Sequence, residues 1–460
     1  MRNKLTLKKN REEYRKKQLH LKELRRKNKF QTFNNVKKKE QYYQINQDEI
    51  LIEVLKDNAF KPFGHWITPK SGQIIIEIPK NFCFCSNYEE CLQIIKLFAS
   101  SMYDYLGNRI TLDFSKCMKV DTSALFMLQV MRLEISGRLM FVQTRLNILN
   151  IIPEIIIVAP KGKDAVRLLL NLGFPISEES IKNLNDDSTL VPIGNMGYLK
   201  GSKSQRHYLE NKKSVYTADV VKYLNSCLKL HGYELTDLAT NNIDGIIGEV
   251  LNNAEDHSGT NDWYVTANFS KELLHSDSED VGEMNLTIIN FGNSIYEAFQ
   301  NTSQENIGMF NQVNDYAKDM IANHADLKFS EEQLFVLATM QEQISRLKFE
   351  RESRGTGTMK FINSFLDLGD FEDDKKNYTP NLSIFSGNVH LICDNTYKPF
   401  LKDKLYCLSL NSEKNLRIPP KSSHLKGLKQ KFPGTLLSVK IYINKNHWDT
   451  KYGGDNHEQN

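Results

Sequence analysis

No apolar run in this chain approaches the roughly 20 residues that a membrane-spanning helix needs. The longest candidate, around Ile151 to Val158, has only the length of a strand. No apolar segment follows the first few residues, so we expect no secretory signal. These absences exclude an integral membrane protein and a secreted protein, and we expect a cytoplasmic protein without membrane insertion.

Cysteine pairs with the spacing of metal ligands are also absent. The seven cysteines include no CxxC pair and no zinc-type quartet. An odd number of cysteines scattered along the chain is typical of reduced thiols in a cytosolic protein and does not suit a disulfide framework. We therefore expect neither disulfide bonds nor a structural metal.

Charge is plentiful but unevenly distributed. Residues 1–40 contain 16 Lys and Arg against 4 Asp and Glu, a net charge of +12 in a chain whose net charge is +4. The other 420 residues therefore carry −8. We interpret residues 1–45 as a basic arm, which is either a solubilising terminus or a binding site for nucleic-acid phosphates. The second alternative predicts that nucleic-acid affinity falls steeply with salt concentration and is lost when the arm is deleted.

Strand and helix patterns alternate after the arm. β-branched runs predict strands at 73–79, 109–114 and 154–158, and apolar spacing predicts helices at 91–105, 124–133 and 163–172. This alternation predicts an α/β (α+β) fold, with an open sheet and helices packed on it. We divide the chain into the arm, a first domain (46–176), a polar linker (177–215), a second α/β domain (216–445) and a polar tail (446–460).

The most informative stretch is a predicted helix that ends near His257. Glu249 and Asn253 are four residues apart and project from one face of this helix, and His257 lies one turn further on. A carboxylate, an amide and an imidazole along an otherwise apolar helix are costly to bury unless they meet a ligand or a metal. Their spacing therefore indicates a binding or catalytic face.

Two glycine-containing turns and a late strand follow this helix. A predicted strand runs into Asn290-Phe-Gly292-Asn-Ser294, and Arg354-Gly355-Thr-Gly357-Thr358 opens another helix. Closely spaced glycines at a helix start expose backbone N–H groups to which a phosphate can bind. The sequence Phe432-Pro-Gly-Thr435 opens the last predicted strand.

In this order the four elements resemble the GHKL ATPase superfamily, which includes histidine kinases, anti-sigma-factor serine kinases and gyrase-type ATPases. Glu249 and Asn253 match its N box, with His257 where kinase-like members often have histidine. The two glycine-containing turns match its two glycine boxes, and Thr435 matches the threonine beside the adenine. The resemblance covers residues 216–445.

The resemblance implies a Bergerat α/β sandwich with a mixed sheet, and ATP bound between the helices and the sheet. A long lid over residues 296–353 would contain two helices, at about 310–324 and 331–350. Asn253 would coordinate a Mg²⁺ ion that bridges the phosphates, and Glu249 would orient or deprotonate the attacking water or hydroxyl. Amides of the lid and its glycine box would hold the phosphates.

Two positions depart from the family pattern. Asn290 stands where the family has the aspartate that accepts the adenine amino hydrogen. Its amide oxygen accepts without a charge, so we expect weaker or altered recognition of the base. Ser294 stands where the family has a second glycine, which narrows the allowed backbone conformations. Nucleotide binding is therefore better supported than efficient hydrolysis.

The first domain carries a second resemblance. Residues 110–125 and 155–173 resemble the STAS fold of anti-anti-sigma factors. In that family the second hydroxyl after the aspartate, here Ser123, accepts phosphate from a GHKL serine kinase. The alternative is that Asp121, Thr122 and Ser123 cap the helix that begins near Ala124.

The sequence thus predicts an intracellular Mg-ATP-binding regulatory protein, in which a GHKL domain acts as an ATPase or nucleotide switch coupled to a STAS-like domain. One alternative is a serine/threonine kinase that phosphorylates Ser123 or a partner in a signalling system. Another is a non-catalytic sensor of ATP occupancy that binds nucleic acid through residues 1–40. We expect a protein partner of unknown identity and, because GHKL proteins often dimerise, a homodimer as a further alternative.

Substituting Glu249 distinguishes an enzyme that cleaves ATP from a protein that only binds it. If Glu249 activates the nucleophile, Glu249→Ala lowers ATP turnover by about 10²- to 10⁴-fold and leaves ATP binding intact. Phosphate release and mass spectrometry after incubation with Mg²⁺ and ATP measure this. A phosphate adduct on Ser123 or Thr122 identifies a kinase, and an unaltered phenotype in the variant identifies an occupancy switch.

Overall fold

The computed structural model describes most of the two α/β regions. The described residues are 43–44, 66–67, 70–147, 150–182, 190–196, 198–202, 212–229, 234–257, 262–272, 281–301, 307–324, 329–342, 344, 357–368, 371–373 and 376–444. They form a mixed α/β structure with several sheets, which confirms the predicted fold class at that level. The basic arm up to residue 42 and the polar tail lie outside the described residues. All seven cysteines are free thiols.

The front domain, residues 70–182, is built on a small parallel sheet. Its strands are β3 (Gln73–Glu77), β4 (Asn81–Phe82), β5 (Arg109–Asp113), β6 (Lys119–Val120) and β7 (Glu154–Val158), and two short strands precede it, β1 (Tyr43–Gln44) and β2 (Trp66–Ile67). Its helices are α1 (Phe84–Asp104), α2 (Thr122–Leu146), α3 (Lys163–Asn171) and α4 (Glu178–Lys182). Strands β3, β5 and β7 are parallel neighbours in that order, and α1 and α2 connect them. Strands β4 and β6 also pair in parallel, and β1 pairs with β2.

The large domain, residues 190–444, is built on a six-stranded sheet. Its strands are β8 (Leu190–Asn195), β9 (Leu199–Ser202), β10 (Asp262–Glu272), β11 (Val281–Phe291), β14 (Asn381–Asp394) and β17 (Leu425–Asn444). Two small antiparallel pairs are β12 (Phe371–Asp373) with β13 (Lys376–Tyr378), and β15 (Phe400–Lys402) with β16 (Leu405–Cys407). Its helices are α5 (Lys212–Lys229), α6 (Asp237–His257), α7 (Ile295–Asn301), α8 (Ile307–Asn323), α9 (Glu331–Thr339) and α10 (Gly357–Leu368).

The large sheet differs from the expectation of a mixed sheet. Its order is β14-β17-β11-β10, with both β8 and β9 beside β10. Each described pair of neighbouring strands is antiparallel. The antiparallel order arises because β10 and β11 follow each other directly and β17 returns along both β11 and β14. The mixed-sheet prediction is therefore wrong for the described strands.

Two further predictions need correction. The segment 177–215 contributes β8 and β9 to the sheet, so it is more than a linker. Its strands are short and lie at the sheet edge, where Pro192 is tolerated, and they therefore give little periodic signal. The second lid helix, predicted over 331–350, ends at Thr339, where the Gln341 side-chain amide donates to the Leu337 carbonyl.

Side chains of the large sheet alternate between two faces. The helix face carries Met284, Leu286 and Ile288 of β11 and packs against α5, α6 and α10. The docking face carries Ile289 and Phe291 and shares one hydrophobic core with the front domain. The sheet is therefore covered on both sides.

A single carboxylate joins the two helices that meet the docking face. Asp121 caps α2 by accepting from the Ala124 N–H at 2.7 Å, and its other oxygen accepts from the Phe84 N–H of α1 at 2.7 Å. Burial raises the pKa of Asp121 to about 6, although backbone N–H groups and Lys440 of the large domain favour its charged form. One side chain thus holds the amino-terminal turns of both helices.

Among the described helices, none combines the length and the apolar composition that crossing a bilayer requires.

Stability should depend on pH through Asp121. Its pKa of about 6 in the folded protein exceeds the ordinary value of 3.8, so the folded state retains a proton that the unfolded chain has already lost. This contribution to the free energy of unfolding is complete below about pH 4 and decreases by about 3 kcal/mol as the pH rises to about 6. Asp121→Asn should abolish the decrease, and urea unfolding between pH 4 and 7 measures it.

Asp113 is a control, because its contribution to the free energy of unfolding should change with pH in the opposite direction. Hydrogen bonds from Ser115 lower its pKa, so its contribution to stability is present above its ordinary pKa and disappears as the pH falls. Equal pH slopes for the wild-type protein and Asp121→Asn would contradict the assignment to Asp121.

Candidate functional site

Three polar side chains from three strands meet on the helix face, near one end of the sheet. Asn290 of β11 and Thr435 of β17 are register partners and therefore share this face. Thr435 and Ser386 of β14 are joined by a hydroxyl–hydroxyl hydrogen bond of 2.9 Å. We call these three residues the Asn290 cluster.

Asn290 is the unusual member of this cluster. Its residue is only 7% exposed, yet its side chain forms no hydrogen bond with any described residue. Neither its amide oxygen nor its amide nitrogen is among the fully enclosed side-chain atoms that lack a partner in the described part of the chain, so the amide is not sealed off. The side chain of Asn290 is therefore available to a ligand.

The turn after β11 brings the backbone close to β17. Gly292 has φ +110° and donates its N–H to the Pro433 carbonyl at 3.2 Å. Gly434 has φ +134°, and a Cβ there would overlap the backbone carbonyl oxygen of Asn290. Both positions require glycine. The glycines therefore hold β11 and β17 in close contact at the Asn290 cluster.

Ser294 has a local structural role that a glycine would not fill. Its hydroxyl accepts from the Glu297 N–H, and the Glu297 carboxylate accepts from the Ser294 N–H, which forms a capping box at the start of α7. Burial favours the neutral carboxyl of Glu297, but hydrogen bonds from Lys431 and Ser294 outweigh it and lower the pKa. Ser294 is not among the described residues with positive φ, so the serine causes no backbone strain.

Helices α6 and α10 bring together the two other predicted motifs. The Asn253 side-chain amide of α6 lies 3.5 Å from the Thr358 hydroxyl, to which it donates. Thr358 is the second residue of α10, which begins at Gly357. Glu249 lies one turn before Asn253 and His257 ends the helix, and the side chains of both are outside the described part. Arg354 and Gly355 also lie outside the described residues.

The predicted lid contains a helix that belongs to the core. Residues 333–339 of α9 are buried, and Val336 and Leu337 pack in the same core as α6 and α10. The Gln333 side chain donates to the Leu425 carbonyl at 3.0 Å. Helix α8, by contrast, buries only Val313, Ala317 and Met320. Helix α9 is therefore anchored in the core, and the buried residues of α8 pack against Leu334 and Phe335 of α9.

Ser123, the predicted phospho-acceptor, lies on the docking face. It is 2% exposed, and its hydroxyl hydrogen-bonds to Thr287 at 3.0 Å and to Ser438 at 2.7 Å. Thr122 donates to Asn268 at 3.0 Å. Asp121 caps α2 as the alternative reading expected, but the two hydroxyls bind the large sheet. In this docked arrangement Ser123 is shielded from an external donor of phosphate.

Ser386, a member of the Asn290 cluster, and Glu332, which lies nearby, belong to no sequence motif and were not predicted. Ser386 accepts the Ile295 N–H at 2.8 Å and thereby joins the first glycine turn to Thr435. Glu332 of α9 accepts the Asn388 N–H at 3.0 Å, beside a bulge in β14. The one available signal was Gly387, since a glycine inside a strand pattern suggests a bulge.

No protein-family model matches this chain, and comparisons with curated proteins and with solved structures find no match either. The assignment of a function therefore depends on the residues and their geometry. The geometry joins Asn290 to Thr435, and separately joins Asn253 to Thr358, whereas it places Ser123 on the opposite face of the sheet.

Substitutions of Ser123 should lower the free energy of unfolding, and a charged substitute should lower it more than an apolar one. Ser123→Ala should cost about 1 kcal/mol because Thr287 and Ser438 lose a partner. Ser123→Asp should cost at least about 3 kcal/mol because it buries an unpaired charge. Urea unfolding measures both. Thr144→Asp, at the exposed end of the same helix, is the control and should change stability by about 0.5 kcal/mol or less. Equal stability of the two Ser123 variants would contradict the buried placement.

Proposed function

We propose that the large domain binds Mg-ATP and that the protein is a regulatory nucleotide switch or ATPase. The observation that carries this proposal is the position of Asn290 on the helix face, largely buried beside Thr435 and without a side-chain hydrogen bond to any described residue. In the GHKL pattern these two positions contact the adenine. An adenine amino group would give the Asn290 oxygen the donor that it lacks within the described residues.

The residues present also suit a phosphate group and Mg²⁺. The Asn253 amide nitrogen is occupied by Thr358, whereas its oxygen has no hydrogen-bond partner among the described residues. Amide oxygens are ligands that Mg²⁺ accepts together with phosphate oxygens. Helix α10 begins at Gly357 and presents its first backbone N–H groups near Thr358, where an anion is favoured. Asn253 would thus hold the ion and α10 the phosphates.

The protein's own groups would then divide the remaining tasks. Mg²⁺, when bound, neutralises negative charge on the phosphate oxygens. Glu249 precedes Asn253 by one turn and is the candidate to orient a water or hydroxyl. The uncharged Asn290 supports weaker recognition of the base than a carboxylate would provide. The shielded position of Ser123 favours an ATPase or switch over phosphorylation of Ser123 within a docked chain.

The test replaces Asn290 by leucine, which has a similar size and no polar atoms. If the amide exists to bind the base, Asn290→Leu should abolish ATP binding and change the free energy of unfolding by less than about 1 kcal/mol, because the substitution removes no hydrogen bond to a described residue. Isothermal titration calorimetry with Mg-ATP and urea unfolding measure the two effects. Retention of wild-type ATP affinity in this variant would contradict the proposal.

Asn411→Leu is the matched control. Asn411 is also buried, at 2% exposed, but its amide donates to the carbonyls of Ser409, Asn415 and Ile418. Its replacement should therefore lower stability by about 1–3 kcal/mol and leave ATP affinity unchanged. A loss of stability in Asn411→Leu alone, with a loss of ATP affinity in Asn290→Leu alone, separates a structural amide from a binding one.

A further inference from the structure

Each residue of the Asn290 cluster is adjacent in the chain to a residue on the docking face. Phe291 follows Asn290, Leu436 follows Thr435, and Phe385 precedes Ser386. All three neighbours are fully buried and lie in the core shared with the front domain. Since consecutive strand residues point to opposite faces, a shift of any of these three neighbours moves a cluster residue with it.

Helix α1 of the front domain contacts one of these neighbours, Phe385, directly. The Tyr88 ring stacks on Phe385 with a centroid distance of 5.4 Å and an angle of 10°. Phe84 lies 5.8 Å from Phe385 and 6.3 Å from Phe432, which is three residues before Thr435. The front domain therefore packs against the back of the cluster through two aromatic side chains.

A polar contact extends the same interface along β17. The Glu89 carboxylate accepts the N–H groups of Lys429 and Gln430 at 2.7 and 3.0 Å. These residues lie in the part of β17 that extends beyond its pairing with β11. Residues 84–89 of α1, which include the non-helical Asn87 (φ −148°, ψ 50°), therefore contact β14 and β17 through aromatic rings and bind the backbone of β17 through Glu89.

The interface also buries polar atoms that it does not satisfy. The Tyr88 hydroxyl, Thr266 Oγ1 and His390 Nε2 are buried without a hydrogen-bond partner. His390 stacks on Phe385 at 4.0 Å, and burial lowers its pKa to about 3, so it stays neutral. Unpaired buried groups weaken the state that buries them. Docking is therefore held less firmly than a wholly apolar interface would be and can respond to a ligand.

We infer that the front domain is an intramolecular effector of the nucleotide site. Phe84 and Tyr88 are positioning residues, which hold Asn290, Ser386 and Thr435 in place from the opposite face of the sheet. This inference rests on the proposed function, because it concerns the affinity of the same site. By linkage, docking raises affinity for Mg-ATP, and Mg-ATP strengthens docking by the same factor.

The test compares two substitutions of Tyr88 in the full chain. Tyr88→Ala removes the ring and should weaken Mg-ATP binding by about fivefold or more, as measured by titration calorimetry. It should also raise hydrogen exchange of the backbone amides at 288–292 and 434–437 without nucleotide. Tyr88→Phe keeps the ring and removes only the unpaired hydroxyl, so its affinity should equal or exceed that of the wild-type protein.

Met102→Ala controls for general loss of stability in the front domain. Met102 is fully buried near the far end of the same helix, 14 residues from Tyr88 and about 21 Å along its axis. Its substitution should change the affinity by less than about twofold, well below the coupling expected for Tyr88. If Tyr88→Ala does not fold, Glu89→Ala at the half-buried rim of the same interface takes its place and should weaken Mg-ATP binding in the same direction.

The outcomes separate this inference from the proposed function. If the wild-type protein binds no Mg-ATP, the proposed function fails, and the effector role fails with it, whatever the exchange data show. If the wild-type protein binds Mg-ATP but Tyr88→Ala and Met102→Ala have the same affinity, the effector role alone is overturned. Selective weakening by Tyr88→Ala, together with faster exchange at 288–292, supports it.

Discussion

The arrangement of the two domains depends on the carboxylate of Asp121. It accepts N–H groups from the first turns of α1 and α2, so that both helices begin at the same point and present their amino-terminal ends to the large sheet. From α1 the sheet receives Phe84 and Tyr88, and from α2 it receives Thr122 and Ser123. These side chains contact residues on four strands of the sheet, β10, β11, β14 and β17.

The large sheet then separates two kinds of chemistry. Its docking face carries a row of hydroxyl residues in register on four strands, Thr266, Thr287, Ser438 and Ser383. Its helix face carries Asn290, Thr435 and Ser386, the cluster that we propose binds a nucleotide. Small hydroxyl residues suit the docking face because they allow the helix ends to approach closely and can hydrogen-bond to them.

Much of the local structure was predictable, but the docking of the domains was not. The β-branched runs of β5 and β7 and the apolar periodicity of α3 and α6 have strong local signals. The contact of Ser123 with Ser438 joins residues 315 positions apart, and no local pattern reports it. Ser386 carries no motif either. The pairing of Asn290 with Thr435 could be predicted only from a family resemblance, since strand register follows from tertiary packing.

The position of β17 in the sheet has a consequence for synthesis. It pairs with both β11 and β14, yet it comes after every other described strand in the chain. Until it emerges from the ribosome, β11 and β14 have unpaired edges, and such edges recruit other strands. The front domain, made much earlier, meanwhile lacks the surface against which Phe84 and Tyr88 pack. Completion of the sheet, of the Asn290 cluster and of the contact between Phe84 and Phe432 therefore requires that residues 425–444 have been synthesised.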